Sequence, residues 1–372
     1  MTDDERFMRR ALLLARRGKH THPNPKVGAV IVRDGAVVGE GHHVRPGLPH
    51  AEAGAFAEAG DAARGATVYV TLEPCSHTAN RDGSPRTACA DRCIEAGVSR
   101  VVCAMIDPDT RVSGRGIERL RDAGIAVTLG VLETDARALN RPFVKHRETG
   151  LPFVLHKAAM TLDGKIATVS GSSRWVTGAE SREYVHRVLR GTADAIVVGV
   201  GTVLSDNPSL DVRTKSRNVH APVRVVVDSG LRTPINAKVA APGTIFYTLE
   251  TAGNEARAEL LAATGATVAR VEADDTGRVC IAAAMRDLAE RGALSVLLEA
   301  GGELAASFYA ARLVDSACVF VAPKIVGGRG APTPIGGAGL AENMNAALRT
   351  GTLTVRRFGA DIALFADIRY DD

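Results

Sequence analysis

The chain has 372 residues, 45% of them apolar and 24% charged, with a net charge of +4 and 4% aromatic residues. That length suggests two domains, with apolar side chains enough for two cores. The mild charge, the lack of a Lys/Arg block and the few stacking rings argue against a nucleic-acid surface, and no run reaches the roughly 18 apolar residues of a membrane span.

The start, MTDDERFMRR, lacks the apolar core of a signal peptide. The six cysteines (Cys75, Cys89, Cys93, Cys103, Cys280 and Cys318) are scattered, which fits a reducing, cytoplasmic setting. Residues 3–17 carry Phe7, Met8, Ala11, Leu12, Leu14 and Ala15 at helical spacing. HTHPNP breaks that pattern, and VGAVIVRDGAVVGEG then reads as two strands joined at Asp34-Gly35. Helices near 50–60, 88–96 and 115–123 alternate with the strands ATVYVTL, RVVCAMI and IAVTLG. This predicts a layered α/β domain with helices on both faces of its sheet.

Around NRPFVKHRETGLP the pattern resets, so the domain junction is placed near residues 142–151, with domains of 1–146 and 147–372. The second half also reads as α/β. Its strands are FVLHKAAM, DAIVVG, VRVVVD, TIFYTL, SVLLEA and ACVFVAP, and its helices lie near 179–190, 277–291 and 302–311.

His50 and Glu52 open the helix near 50–60, and TLEPCSH brings a strand into Pro74-Cys75. Cys89 opens another helix. One His and two Cys make three ligands, the count a catalytic zinc requires so that its fourth position can hold water. His-x-Glu followed by Pro-Cys and a second Cys is the pattern of zinc nucleobase deaminases, in which the Glu carries protons and does not bind metal. Here thirteen residues separate Cys75 from Cys89, where the usual pattern has two. Cys93 and His77 therefore compete as ligands, although Cys93 falls one helical turn past Cys89 and suits a core. In the second half, LLEAGGELAASF ends a strand at Glu299 and leads through Gly301-Gly302 into a helix, a place where backbone N–H groups can bind phosphate. The G-x-G of VVGVGTV is weak evidence for a dinucleotide.

THPNPKVGAVIV, GEGHH, PHAE, VTLEPCSH and MIDPD…GRGIERLRDAGI together resemble the deaminase half of the bifunctional riboflavin-biosynthesis deaminase/reductases. KAAMTLDGKIA, SRWVT, VGVGTVLSDNPSLDVR, RVVVDS, LLEAGGELAASF and VAPKIVGG resemble, in order, the reductase half. The resemblance implies a cytidine-deaminase-like domain followed by a dihydrofolate-reductase-like one, with Zn2+ and NADPH as cofactors. It implies hydrolytic deamination of 2,5-diamino-6-(5-phosphoribosylamino)pyrimidin-4-one, then reduction of the ribosyl group to a ribityl chain. His50, Cys75 and Cys89 would hold zinc, and Glu52 would move protons. Asn24, His43, His77 and Arg86 would meet the substrate. The loop SHTANRDGSPRTA is longer than the SHHGRTPP form of the family, so Arg81 competes with Arg86 for the phosphate.

In the second half the resemblance places Ala159, Trp175, Thr202, Asp206, Ser229 and the turn Gly301, Gly302, Glu303, Leu304, Ala305, Ala306 and Ser307 against NADPH. Ser173, Arg190, Leu210, Arg213 and Glu299 would face the substrate, with Asp206 organising proton delivery and Lys157 in support. VHRVLR carries one residue more than the family's VHRLR, so Arg187 rivals Arg190. SDNP stands where ADDP is common, leaving Asn207 at the second acidic position. The expected partners are a phosphorylated pyrimidine and further copies of the chain, with neither nucleic acid nor membrane. The rival function is a nucleic-acid-editing zinc deaminase fused to an accessory domain.

Overall fold

The structure, a computed structural model, describes residues 1–79, 85–110, 112–213, 220–250 and 253–370. It divides into two compact units, Met1–Gly150 and Leu151–Asp372. Arg81, the rival phosphate contact, lies outside the described residues.

In the first unit, α1 (Asp3–Ala15) opens on a capping box between Thr2 and Glu5. β1 (Gly28–Arg33) and β2 (Ala36–His42) form the expected hairpin, and Asp34 and Gly35 both take positive φ at its turn. There follow α2 (Ala51–Ala59), β3 (Thr67–Val70), α3 (Cys89–Glu95), β4 (Arg100–Cys103), α4 (Arg115–Asp122) and β5 (Ala126–Leu129). The sheet order is β2-β1-β3-β4-β5, antiparallel across the hairpin side and parallel from β3 to β5. Side-chain alternation along β1 and β3 gives each face its own apolar set. Ala29, Ile31, Val68 and Val70 join α2, α3 and α4 through Ala51, Ala55, Ala90, Cys93 and Leu120. Tyr69 turns to the other face and meets Phe7 of α1, with 5.2 Å between ring centroids.

Two glycines on β2 decide how closely α2 can lie. A Cβ at Gly41 would stand 2.0 Å from the carbonyl oxygen of Ala51, and one at Gly39 would stand 2.2 Å from that of Ala55. The missing side chains let α2 rest directly on the strand, which fixes the position of its first turn.

Two further helices close the unit: α5 (Glu133–Leu139) and α6 (Arg141–Thr149). The sequence reading placed the domain junction at 142–151 and named no helix there. Phe143 and Val144 are buried, and the helix ends at Gly150, whose φ is +71°. The expected boundary at 146/147 falls inside α6.

The second unit runs β6 (Phe153–Thr161), α7 (Ala179–Tyr184), β7 (Ala195–Gly199), α8 (Val200–Asp206), β8 (Val223–Val227), β9 (Thr244–Leu249), α9 (Glu255–Ala262), β10 (Thr267–Val271), α10 (Ile281–Glu290), β11 (Ser295–Leu298), α11 (Gly302–Ala310) and β12 (Val314–Ala322). β13 (Arg349–Thr350), β14 (Thr354–Phe358) and β15 (Asp361–Arg369) complete it. The sheet order is β10-β9-β8-β7-β11-β6-β12-β15-β13, with β14 on β15. From β10 to β12 the strands are parallel, and β15 returns antiparallel. One face buries Val197, Val225 and Leu298 under α10 and α11, and the other buries Ile196, Val198 and Val226 under α9. Such a sheet presents ligands with the carboxyl ends of its parallel strands, where the chain order reverses.

VHRVLR forms a π-helical turn, Val185–Arg190, continuing α7. A π turn absorbs one extra residue without shifting the flanking helix. It leaves Arg187 exposed and turns Arg190 inward.

Candidate active sites

The close seat of α2 on β2 puts His50 just ahead of the helix, with extended backbone and a side chain that makes no capping bond. The imidazole turns instead to the two cysteines: Nδ1 lies 3.7 Å from Cys75 Sγ and 3.4 Å from Cys89 Sγ. All three ligand atoms lie within 4.8 Å of one another. Zinc with bonds of about 2.1 Å to N and 2.3 Å to S in a tetrahedron needs ligand separations of about 3.6–3.8 Å. The site fits that ion. Cys89 also donates its backbone N–H to Cys75 Sγ at 3.5 Å. The two thiols act as a pair: the hydrogen bond from Cys89 and the neighbouring His50 hold Cys75 far below the ordinary thiol range, while Cys89 is pushed up. A thiolate is the form that binds metal.

Cys93 does not join them. It is fully buried in the sheet–helix core, and Cys103 packs there too, donating to the carbonyl oxygen of Met105 at 3.1 Å. Arg86 does join them. Its Nη1 lies 3.2 Å from His50 Nε2, while Nη2 lies 3.2 Å from His50 Nδ1 and 2.9 Å from Cys75 Sγ. The guanidinium thus sits on the atoms a zinc ion would use, and it is not part of the wall of the adjoining cavity.

That cavity has a volume of about 190 Å³ and brings together Asn24, His43, His50, Glu52, Cys75 and His77. Glu52 is only 3% exposed, and burial pushes its carboxyl up against the lowering effect of His50. Asn24 Nδ2 lies 3.2 Å from His43 Nε2, and His43 Nδ1 lies 3.2 Å from the carbonyl oxygen of Pro49. Nδ1–H donating to the carbonyl and Nε2 accepting from the amide satisfy both bonds with a neutral ring. Burial pushes the His43 pKa down in keeping with this.

The wall also contains residues that sequence reasoning did not assign: Glu73, Asp107, Asp109, Phe143 and Arg147. Glu73 stands inside the quoted TLEPC motif. Its buried carboxylate accepts the N–H groups of Asp107, Gly114, Gly116 and Ile117 at 2.9–3.4 Å. It thereby binds the loop after β4 to the start of α4. A Cβ at Gly116 would lie 1.9 Å from the carbonyl oxygen of Pro74, so this closure requires glycine.

In the second unit a cavity of about 1420 Å³ opens at the carboxyl ends of β6, β7, β8 and β11. It brings together Lys157, Ala159, Ser173, Trp175, Arg190, Thr202, Asp206, Leu210, Arg213, Ser229, Glu299, Gly301, Gly302, Glu303, Leu304 and Ser307. Ala305 and Ala306 do not reach it. At 3.6 residues per turn α11 directs 303, 304 and 307 to the cavity and turns Ala305 into the core. A Cβ at Gly302 would stand 2.7 Å from the carbonyl oxygen of Thr333, so the entry to α11 is glycine by necessity.

At the floor, Arg190 donates to both oxygens of Glu299, at 2.6 and 2.8 Å, and to the carbonyl oxygen of Asp211 at 2.9 Å. Burial pushes the Glu299 carboxyl up, but the charge and hydrogen bonds of Arg190 outweigh it and hold the pKa down to about 2. Asp206 accepts from Ser173 Oγ at 3.3 Å, and the Arg182 guanidinium carbon stands 4.5 Å over the Trp175 ring. His186 is a wall residue that the sequence reading passed over; its Nδ1 accepts from the N–H of Arg213 at 3.3 Å. The π turn that seats Arg190 also carries this ring. Asn207 is the left-handed cap of α8, and its Oδ1 accepts from the N–H of Lys238 at 2.9 Å.

Residues 1–105 match the family described as cytidine and deoxycytidylate deaminase zinc-binding region, and residues 152–364 match the RibD C-terminal domain. The riboflavin biosynthesis protein RibD of Aquifex aeolicus (strain VF5) is 39% identical over 97% of this chain and 98% of its own. The protein of that name from Escherichia coli (strain K12) is 40% identical over 87% and 89%. Among solved structures, Acinetobacter baumannii RibD aligns at a TM-score of 0.86 with 34% identity over 99% of both chains. A diaminohydroxyphosphoribosylaminopyrimidine deaminase/5-amino-6-(5-phosphoribosylamino)uracil reductase from Thermotoga maritima aligns at 0.81, also with 34% identity over 99% of both.

Proposed function

The chain belongs to the riboflavin biosynthesis RibD family and is a bifunctional enzyme with deaminase and reductase activities, and from that premise we propose which substrate each half takes and which residues act on it. The first unit hydrolyses 2,5-diamino-6-(5-phosphoribosylamino)pyrimidin-4-one, releasing ammonia. The second reduces the ribosyl group of the product with NADPH, giving 5-amino-6-(5-phosphoribitylamino)uracil. The observation that carries the reading is the zinc-spaced triad His50, Cys75 and Cys89 beside the buried carboxyl of Glu52.

His50, Cys75 and Cys89 would hold the metal, three ligands being the set of a catalytic zinc. Bound zinc would supply the lowered water pKa, from 15.7 to about 7. Glu52, off the metal, would carry one proton from the attacking water to the pyrimidine ring nitrogen and a second, from the hydroxyl of the adduct, to the leaving amine, which departs as ammonia. Asn24, the neutral His43 and His77 orient the ring. Arg86 and the metal compete for the same two atoms of His50 and Cys75. With those atoms on a metal, the Arg86 guanidinium would be free to meet the substrate phosphate.

In the second unit the start of α11 at Gly301 and Gly302 receives the cofactor diphosphate on backbone N–H groups. Trp175, Thr202, Ser229 and Ala159 complete that wall. NADPH, when bound, would supply the hydride for reduction at C1 of the opened ribose, a reduction that also consumes one proton. Arg190, held by Glu299, and Arg213 position the substrate, with Ser173 and Leu210 beside them. Asp206, already bonded to Ser173, organises the proton. The choice of NADPH, the cytoplasmic setting and a homo-oligomer belong to the proposal too. All six cysteines being free supports a reducing compartment.

The test is stoichiometric. Purified zinc-loaded chain given the pyrimidine and NADPH is expected to release one ammonia and oxidise one NADPH per substrate. Absence of ammonia would defeat the first assignment, and absence of NADPH oxidation the second.

A further inference from the structure

One wall of the smaller cavity carries no metal ligand. Asp107, Asp109 and Val112 contribute it from the loop after β4, and Phe143 and Arg147 from α6. Arg147 is the only lysine or arginine among the described residues that line this cavity. Its Nε is buried without a hydrogen-bond partner and lies 3.7 Å from Asp109 Oδ2, beyond hydrogen-bond reach. Its guanidinium carbon stands 5.3 Å from the Phe143 ring centroid.

The helix that presents it is held in place. Asn140, at the head of α6, accepts from the N–H of Lys26 at 2.8 Å and donates to the carbonyl oxygen of Lys26 at 2.9 Å. That ties α6 to the segment carrying Asn24 and Pro25 of the same cavity. A guanidinium on a fixed helix, flanked by a ring and a carboxylate, has little freedom left to lose on binding. Its planar fork suits phosphate, and a buried N–H left unpaired is costly.

We propose that Arg147 is a phosphate contact of the deaminase cavity, taking the 5′-phosphate of the substrate on its guanidinium, the buried Nε–H included. The inference rests on the phosphorylated-pyrimidine reading above. Asp109 and Asp107 in this wall would by themselves repel a dianion, and Arg147 is the wall's own counter-charge. Arg86 reaches the same substrate from the metal side, so the two arginines act from different elements.

The experiment measures ammonia release from the phosphorylated pyrimidine and from its dephosphorylated counterpart, in wild type, Arg147→Met and Arg147→Lys. Arg147→Met is expected to raise KM for the phosphorylated substrate about tenfold or more, since a charge-assisted bond is lost. KM for the dephosphorylated substrate and kcat should stay as they are. Arg147→Lys should fall between, because an ammonium keeps the charge but not the fork. Zinc content and NADPH oxidation by the second unit report that each variant is folded. If Arg147→Met does not fold, the KM ratio of Arg147→Lys decides alone. An unchanged KM ratio in folded protein overturns the proposal, as does an equal loss with both substrates, which would mark a structural role. Wild type that releases no ammonia overturns the substrate reading, and this inference with it.

Discussion

The two sites solve different problems with different amounts of space. The first is a cavity of about 190 Å³ whose wall carries His50, Cys75 and the buried Glu52, beside three ligand atoms that lie within 4.8 Å of one another. The second is an opening of about 1420 Å³ at the ends of four parallel strands, with one buried ion pair at its floor. Hydrolysis at a metal needs a few groups placed closely. Hydride transfer needs two large molecules held face to face, so its protein contribution is spread along a long wall. The first site should therefore fail sharply when one atom changes, and the second by degrees.

The largest expected effect separates the two halves. Glu52→Gln should lower deamination by about 10²–10⁴-fold while zinc content stays unchanged. NADPH oxidation with the deaminated intermediate should continue at the wild-type rate, and a parallel fall in both activities would break the comparison. Removing zinc with a chelator should do the same at the level of the metal. Ammonia release should stop and return on adding zinc, with the reductase indifferent throughout.

The floor of the second site gives the next largest effect. Arg190→Met strands the Glu299 carboxylate and should cost that unit about 3 kcal/mol in denaturant unfolding. The double variant Arg190→Met/Glu299→Gln should recover much of this, because both charges are then gone. Glu299 also sets an acid limb. Its carboxyl is held at about 2 against an ordinary value of 4.5, so the unfolded chain binds more protons between those pH values. Stability from this pair is complete above about pH 4.5 and disappears as pH falls towards 2, a loss on the order of 3 kcal/mol. Glu299→Gln should flatten the unfolding profile in that window; an unchanged profile would mean the pair is open to solvent.

The smallest effect concerns the seat of α2. Gly41→Ala puts a Cβ against the Ala51 carbonyl and should cost about 1–3 kcal/mol through displacement of the helix. Deamination should fall more than reduction, because the displaced turn carries His50 and Glu52.

Much of the first site was legible because its groups fall where local signals cluster. His50 and Glu52 open an Ala-rich helix, Cys75 follows a strand and a proline, and Cys89 starts another helix. The hairpin at Asp34-Gly35 was legible for the same reason. Arg147 and Asp107 were not, because α6 and the loop after β4 reach the cavity only by long-range packing. The one signal for Glu73 was its place in TLEPC, and nothing nearby in sequence names the four N–H groups it holds. In the second unit the family's turn 301–307 was read as a continuous contact, but helical periodicity removes Ala305 and Ala306 from it. The extra residue in VHRVLR was visible as a count. That it becomes a π turn, seating both His186 and Arg190, was not.

The sequence by itself determined the chemistry available to this protein. Ordered motifs carry ligand types, glycine-dependent close approaches and the alternation of strands and helices, all of which are local properties of the chain. Only the tertiary structure decided which groups share a cavity. Arg86 lies on His50 and Cys75 and Arg147 lines the wall because helices and loops far apart in sequence meet there. Packing sets those distances, and no spacing along the chain encodes them.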